Sequence, residues 1–170
     1  MRKVLIVLLL GGLSASFVRA QALSSFRLEG ELGVRAATAG RLPFWLAANQ
    51  WGRFDPKSAN GYVLLNGRWE RQPHAWLSYG VGGELLLRRA HDPSAHFVEA
   101  YGRVRVGFLE AHVGRRREIV GTVDTLLSSG SPDVSPNATP IPKIVVRTPH
   151  YTSVPGTRGW VQFHGYWAHG

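Results

Sequence analysis

Apolar and polar residues alternate along several stretches of this chain, and this period of two constrains its fold more than any other feature. Between residues 26 and 37, Phe26, Leu28 and Leu32 fall on one side of an extended chain, and arginines and glutamates fall on the other. Because successive side chains of a β-strand point to opposite faces, the pattern predicts strands with one apolar and one polar face. The same alternation recurs over residues 75–87, 96–107, 109–114 and 159–168.

Two further stretches, 43–51 and 62–70, are interpreted as strands, which gives about six or seven in all. Residues 107–108 separate two alternating stretches and are short enough for a hairpin turn. Strands of about ten residues cross a bilayer when tilted, with a charged face toward a wet interior and an apolar face toward lipid. The sequence therefore predicts an all-β fold, an antiparallel transmembrane β-barrel of the outer membrane. A periplasmic β-sandwich is the alternative.

The start of the chain has the layout of an export signal. Arg2 and Lys3 precede an unbroken apolar run from Val4 to Leu10, and small residues follow up to Ala20. Residues 1–20 are therefore predicted to be a cleaved signal peptide, too short to span a bilayer, followed by the mature protein. No later stretch approaches about eighteen apolar residues, so membrane insertion is expected to use strands.

The predicted strands do not account for a closed barrel. An open sheet cannot sit in lipid, since the backbone amides of its edge strands would have no partner. The stretch 159–168 reads as a strand that ends close to Gly170. We therefore expect residues 21–170 to be the N-terminal portion of a larger barrel; closure by oligomerisation is the alternative.

The composition of the chain argues against several classes of function. The chain has no cysteine, which excludes disulfides and thiolate metal sites. The formal charge of +9 suits an anionic partner, but the arginines are spread along the alternating stretches, which argues against nucleic acid. The seven histidines do not fall at metal-ligand spacings, so we expect neither a metal nor a cofactor.

The residue types of a hydrolytic triad are present but unordered. Ser128 and Asp124 could combine with His112 or His150, yet no G-x-S-x-G motif places the serine on a nucleophile turn. A glycine-rich phosphate-binding loop of the required spacing is also missing from the sequence. We therefore expect a protein that is not an enzyme.

Two stretches, 42–52 and 114–155, interrupt the alternation, and long irregular loops often carry function. Together with the last predicted strand they contain, in order, LPFWLAANQWG, GRRRE, LLSSGS, NATPIPKI and GWVQFHGYWAHG. This ordered set spans roughly Glu29 to Gly170 and resembles the capsule assembly Wzi family of bacterial outer-membrane proteins.

The resemblance implies a monomeric outer-membrane barrel of many strands. Such a protein binds capsular or other extracellular polysaccharide and helps to attach it to the cell surface. Its partners would be that polymer and the lipid of the outer membrane. Members of the family are much longer than this chain, which agrees with an N-terminal portion of a barrel.

Polysaccharide binding needs aromatic rings for sugar faces, planar amides for hydroxyl groups and, for acidic polymers, cations. The stretches that carry the resemblance supply all three, and the predicted binding residues are Trp45, Asn49, Gln50, Trp51, Arg115, Arg117 and Glu118. Trp45 and Trp51 also fit an aromatic girdle at the membrane interface. The run from Arg115 to Glu118 equally fits a solvated turn or an internal ion pair.

Two other functions stay open at this point. A porin-like channel would explain the charged strand faces equally well. A barrel hydrolase that acts on lipid or glycan is the third reading, and it would depend on the unordered serine, aspartate and histidine residues.

Overall fold

The structure, a computed structural model, describes residues 26–37, 40–119 and 135–170. The predicted signal peptide, Asp124 and Ser128 lie outside these residues. The described chain forms nine strands and one helical turn: β1 (Phe26–Arg35), α1 (Phe44–Ala47), β2 (Asn60–His74), β3 (Leu77–Arg89), β4 (Ser94–Val106), β5 (Leu109–Arg115), β6 (Lys143–Arg147), β7 (Thr152–Ser153), β8 (Gln162–Phe163) and β9 (Tyr166–His169).

Seven of the strands form one antiparallel sheet in the order β1-β2-β3-β4-β5-β6-β9, and β7 pairs with β8 in a separate hairpin. The prediction of an all-β fold is confirmed. Residues 107 and 108 form the predicted tight turn between β4 and β5, where Gly107 takes a φ of 58° that suits glycine. Within the described residues the sheet is open, with β1 and β9 at its edges.

The two faces of the sheet differ sharply in chemistry. Residues directly opposite on neighbouring strands share a face, so Leu32, Val63 and Leu87 belong to one side. This apolar face carries large exposed side chains: Leu28, Leu32, Val34, Leu65, Val81, Leu87, Phe97, Val104, Val106, Leu109, Val113, Ile144, Val146 and Trp167. The opposite, polar face carries Glu31, Asn66, Arg68, Glu84, Glu99, Arg103, Glu110, His112, Lys143, Arg147 and Tyr166.

A small hydrophobic core lies on the polar face, beneath the segment that connects β1 and β2. The core cluster consists of Leu42, Phe54, Tyr62, Leu64, Leu86 and Val98. The alternation predicts Val98 on the same face as Ala100, and this is wrong. The register shifts where Glu84 and Leu85 meet β4, and this bulge turns Val98 into the core.

The sheet has two distinct ends. The described parts of the β1–β2, β3–β4 and β5–β6 connections lie at the end where Arg35, Asn60 and Arg89 meet, which we call the loop end. The two-residue turns 75–76 and 107–108 lie at the opposite end with Phe26, together with the connection 148–165 that contains the β7–β8 hairpin. We call this the turn end.

Three sequence predictions need correction. Within residues 43–51, Phe44–Ala47 form a helical turn rather than a strand, because Leu42 and Leu46 follow helical spacing, and the positive φ angles of Asn49 and Trp51 exclude a regular strand after it. Residues 159–168 are two short strands separated by a bend at Gly165, where Thr148 exchanges hydrogen bonds with the Gly165 backbone. Residues 114–155 are not irregular throughout, since they contain β6 and β7.

Candidate functional site

The predicted binding residues all lie at the loop end. Trp45 belongs to α1, Asn49 to Trp51 form the turn that follows it, and Arg115, Arg117 and Glu118 lie at or just after the end of β5. The structure joins the first group to residues far along the chain. The backbone N–H of Asn49 donates to Asn137 Oδ1 at 2.7 Å, and that of Trp51 donates to the Pro136 carbonyl at 2.6 Å.

Arg117 holds together two buried carboxylates. Its Nη2 lies 3.0 Å from Glu84 Oε2 and 2.7 Å from Glu99 Oε2. Its backbone N–H also donates to Glu99 Oε1. Arg53, from the β1–β2 connection, adds two hydrogen bonds to Glu84 at 2.8 and 2.6 Å. Two loop segments are therefore fixed to the middle of the polar face, and both contact Glu84.

Glu118 forms a second buried centre one residue later. Its carboxylate lies 2.9 Å from Lys143 Nζ and 3.1 Å from Arg147 Nη1, and Tyr166 Oη donates to it at 3.2 Å. The ring of His112 is completely buried, with Nε2 at 3.4 Å from Glu118 Oε1. Glu118 therefore connects the end of β5 to β6 and β9.

Glu110 joins the centre around Glu118 to the rest of the polar face. Arg147 and Arg116 contact its Oε1 at 2.6 and 2.9 Å, and Arg103 contacts its Oε2 at 3.4 Å. Seven basic side chains make ion pairs with the four buried glutamates: Arg53, Arg68, Arg103, Arg116, Arg117, Lys143 and Arg147. Arg103 also contacts Glu70 at 2.9 Å, so seven cations meet five carboxylates and this ionic network carries a net positive charge.

Arg115 is separated from this network. It pairs in register with Ala100, on the apolar side of the sheet, and its Nη1 donates to the Phe97 carbonyl at 3.2 Å. Gly114, with a φ of 115°, lies between Arg115 and the rest of β5, and a Cβ at this glycine would collide with the Ala100 carbonyl. The structure therefore brings Arg117 and Glu118 to the polar face and leaves Arg115 apart.

The two predicted tryptophans have different surroundings. Trp51 is partly buried and packs against the core cluster, although its φ of 56° is unusual for a bulky residue. Trp45 is 75% exposed, and so is its neighbour Phe44 at 72%. Sequence reasoning did not select Phe44, because nothing in the alternation shows which ring of the pair would be covered.

The buried glutamates were also missed as a site. Glu84, Glu99 and Glu110 are isolated acids on three different predicted strands, and only the pairing register brings them next to the Arg116–Glu118 run. The one signal in the sequence was the placement of each acid on the polar side of an alternating stretch.

Other chemistries receive no support from the described part of the chain. Residues 26–37, 40–119 and 135–170 contain no group of three or more metal-ligating side chains placed to hold an ion. Of the triad candidates that are described, His112 is buried under Glu118 and His150 is exposed at the turn end. No helix among the described residues is both long enough and apolar enough to cross a membrane.

Comparison with known proteins returned no match to a protein-family model, to a curated protein or to a solved structure. Any statement about function therefore rests on the geometry above and on the sequence resemblance.

Proposed function

We propose that this chain belongs to an outer-membrane capsule assembly protein that binds capsular polysaccharide and helps to attach it to the cell surface. One observation carries the proposal. A single sheet exposes large aliphatic and aromatic side chains on one face and carries most of its charges on the other, with the candidate binding residues at one end. The resemblance to the Wzi family indicates which ligand to expect, a capsular polysaccharide.

The apolar face favours a membrane location. Isolated exposed hydrophobic residues are ordinary, but a continuous face of them across the sheet needs a covering, and lipid covers the outside of transmembrane sheets. The edges at β1 and β9 then need partners, because unpaired backbone groups cost several kcal/mol each in hydrocarbon. We propose that further strands supply them, so that this sheet forms the N-terminal strands of a larger barrel.

The connections favour one orientation. Outer-membrane barrels have short periplasmic turns and longer extracellular loops. The turns 75–76 and 107–108 then face the periplasm together with the longer connection 148–165, and the loop end faces outward with Trp45, Asn49 and Gln50. β1 begins with Phe26 at the turn end, so in this orientation the chain enters β1 from the periplasmic side.

Binding would occur without covalent change. Aromatic rings and amides at the loop end offer stacking and hydrogen bonds, and the positive balance of the polar face favours uronate or phosphate groups of an acidic polymer. Arg117 and Glu118 hold the loops in place, since their charges are paired with other side chains inside the protein.

Deletion of the gene in an encapsulated host tests the proposal. Polymer should appear in the medium while its total synthesis continues, and the intact gene supplied on a plasmid should restore the cell-bound fraction. Unchanged cell-bound polymer would exclude the attachment role.

The charged polar face also suits a porin-like channel, and measurements on the purified protein separate the two functions. The protein should bind capsular polymer and should not raise the conductance of planar bilayers above that of bilayers without protein. Steady ion conductance without polymer binding would favour the channel.

A further inference from the structure

The helical turn α1 holds two aromatic rings in solvent, while its other apolar neighbours are buried. Phe44 and Trp45 are 72% and 75% exposed, whereas Leu42 is 6% exposed and Leu46 packs against the core cluster. The segment is therefore anchored through some of its apolar side chains and presents the rest. Large exposed apolar groups on an anchored segment mark a surface for interaction.

Lipid is not the natural covering for these two rings. Arg35, on the polar face, donates from Nη1 to the Leu46 carbonyl at 2.7 Å. Leu42 and Trp51 pack on the core cluster, which lies on that same face. The turn that carries Phe44 and Trp45 thus sits over the polar side of the sheet, opposite to the face proposed to meet lipid.

The backbone around this turn is held in a costly conformation at Trp51. Its φ of 56° lies in a region that costs about 1–3 kcal/mol for a bulky residue, whereas asparagine tolerates the φ of 57° found at Asn49. The hydrogen bonds from Asn49 and Trp51 to Asn137 and Pro136 maintain it. Such strain is retained where a fixed geometry is used, and a fixed geometry lowers the entropy lost when a ligand binds.

The chemistry around the rings matches a sugar. A pyranose offers an apolar C–H face for an aromatic ring and hydroxyl groups around its rim for amides. Asn49, which is exposed, and Gln50 follow α1 directly and provide those amides. A fatty acyl chain would leave both amides without a partner.

We propose that Phe44 and Trp45 are the residues that stack on a pyranose ring of the polymer, flanked by Asn49 and Gln50 as hydrogen-bonding partners. This inference rests on the proposed function. Trp51 is then a positioning residue that holds the turn against the core cluster, rather than a second stacking surface.

Titration calorimetry tests this assignment, with the full chain in detergent micelles and purified acidic capsular polysaccharide from an encapsulated host as the ligand. Trp45→Ala should weaken binding about tenfold, the effect of losing one well-placed aromatic contact. Phe44→Ala should weaken it by a similar factor. Trp45→Tyr keeps a ring and should bind within about twofold of the unchanged chain.

Trp160 provides the matched control, since it is 92% exposed and lies in the β6–β9 connection at the turn end. Trp160→Ala should leave binding unchanged. Trp45→Leu keeps an apolar side chain without a ring and serves as a second variant if Trp45→Ala does not fold.

The outcomes separate this inference from the proposed function. If the unchanged chain binds polymer and the Trp45 and Phe44 variants bind equally well, the stacking assignment is wrong and the capsule role stands. If Trp160→Ala loses as much affinity as Trp45→Ala, the assignment is also wrong. If the unchanged chain binds no polymer, the proposed function itself fails.

Discussion

Glu84 on β3 lies directly opposite Glu99 on β4, and the guanidinium of Arg117 contacts both carboxylates. Like charges paired across neighbouring strands are destabilising, and these two glutamates are each only 3% exposed. Arg117 therefore makes the pair tolerable and, in the same interaction, ties the segment after β5 to the middle of the sheet.

Replacing Arg117 should be costly for this reason. Arg117→Met keeps the length of the side chain but leaves one buried carboxylate without a full set of partners, and we expect a loss of about 3 kcal/mol in the free energy of unfolding. Urea denaturation in detergent, followed by tryptophan fluorescence, measures it. The control is Arg89→Met, an exposed arginine on the same strand as Glu84, which should change stability by less than about 0.5 kcal/mol.

A second substitution checks the cause of that loss. Glu99→Gln removes one of the two facing charges, so the double variant with Arg117→Met should recover part of the stability that Arg117→Met loses. If Arg117→Met is as stable as Arg89→Met, the carboxylate pair does not depend on Arg117 and this account of the network is wrong.

Two glycines offer a test of the side-chain packing on the sheet faces. Gly82 pairs with Tyr101 on the polar face, and a Cβ at Gly82 would lie 2.7 Å from the tyrosine ring. Gly82→Val should therefore destabilise the fold by about 1–3 kcal/mol. Gly102, on the apolar face, has no atom within 4 Å of the same position, and Gly102→Val should be neutral or stabilising.

Urea unfolding of the two glycine variants side by side gives the comparison directly. Equal stabilities would mean that Tyr101 does not cover Gly82 in the folded protein.

The stability that the loop over the core cluster contributes should decrease in acid. The backbone N–H of Lys57 donates to Asp55 Oδ1 at 2.8 Å, and this hydrogen bond holds the pKa of the Asp55 carboxyl below its ordinary value of 3.8. A carboxyl whose folded pKa is lowered stabilises the protein above its unfolded pKa, and this contribution disappears as the pH falls through the folded value.

The stability advantage of the unchanged chain over Asp55→Asn should accordingly be present at neutral pH and shrink below about pH 4. Urea unfolding at a series of pH values measures it, with Asp92→Asn as an exposed-carboxylate control. An advantage that stays constant or grows on acidification would contradict the assigned hydrogen bond.

Much of the sheet could be predicted from the sequence, because period-two alternation reports directly which faces a strand presents. It placed β1, β3, β4 and β5 and the turn at Gly107 correctly. It failed where local geometry departs from a regular strand. The bulge that turns Val98 inward adds one residue to β4 without any change in composition, so alternation alone cannot locate it.

The candidate site was predictable only in part, since its ion pairs depend on strand pairing. The charges of the run from Arg116 to Glu118 are visible in the sequence. The two partners of Arg117, however, are Glu84 and Glu99, which lie 33 and 18 residues before it on β3 and β4. Which of Phe44, Trp45 and Trp51 is covered depends on how the turn after α1 folds over the core cluster. That fold is set by the contacts with residues 136 and 137.

We propose that the apolar face meets lipid and that the polar face meets an enclosed, hydrated interior. The chain has no cysteine, so single cysteines can be introduced and spin-labelled one at a time. In lipid vesicles that contain this chain together with the strands proposed to close its sheet, labels at Leu32, Val81 and Val104 should collide readily with oxygen, which concentrates in the bilayer. Labels at Asn66 and Glu31 should collide mainly with a water-soluble nickel chelate. Labels on the apolar face that respond to the nickel chelate, or to neither reagent, would contradict the account.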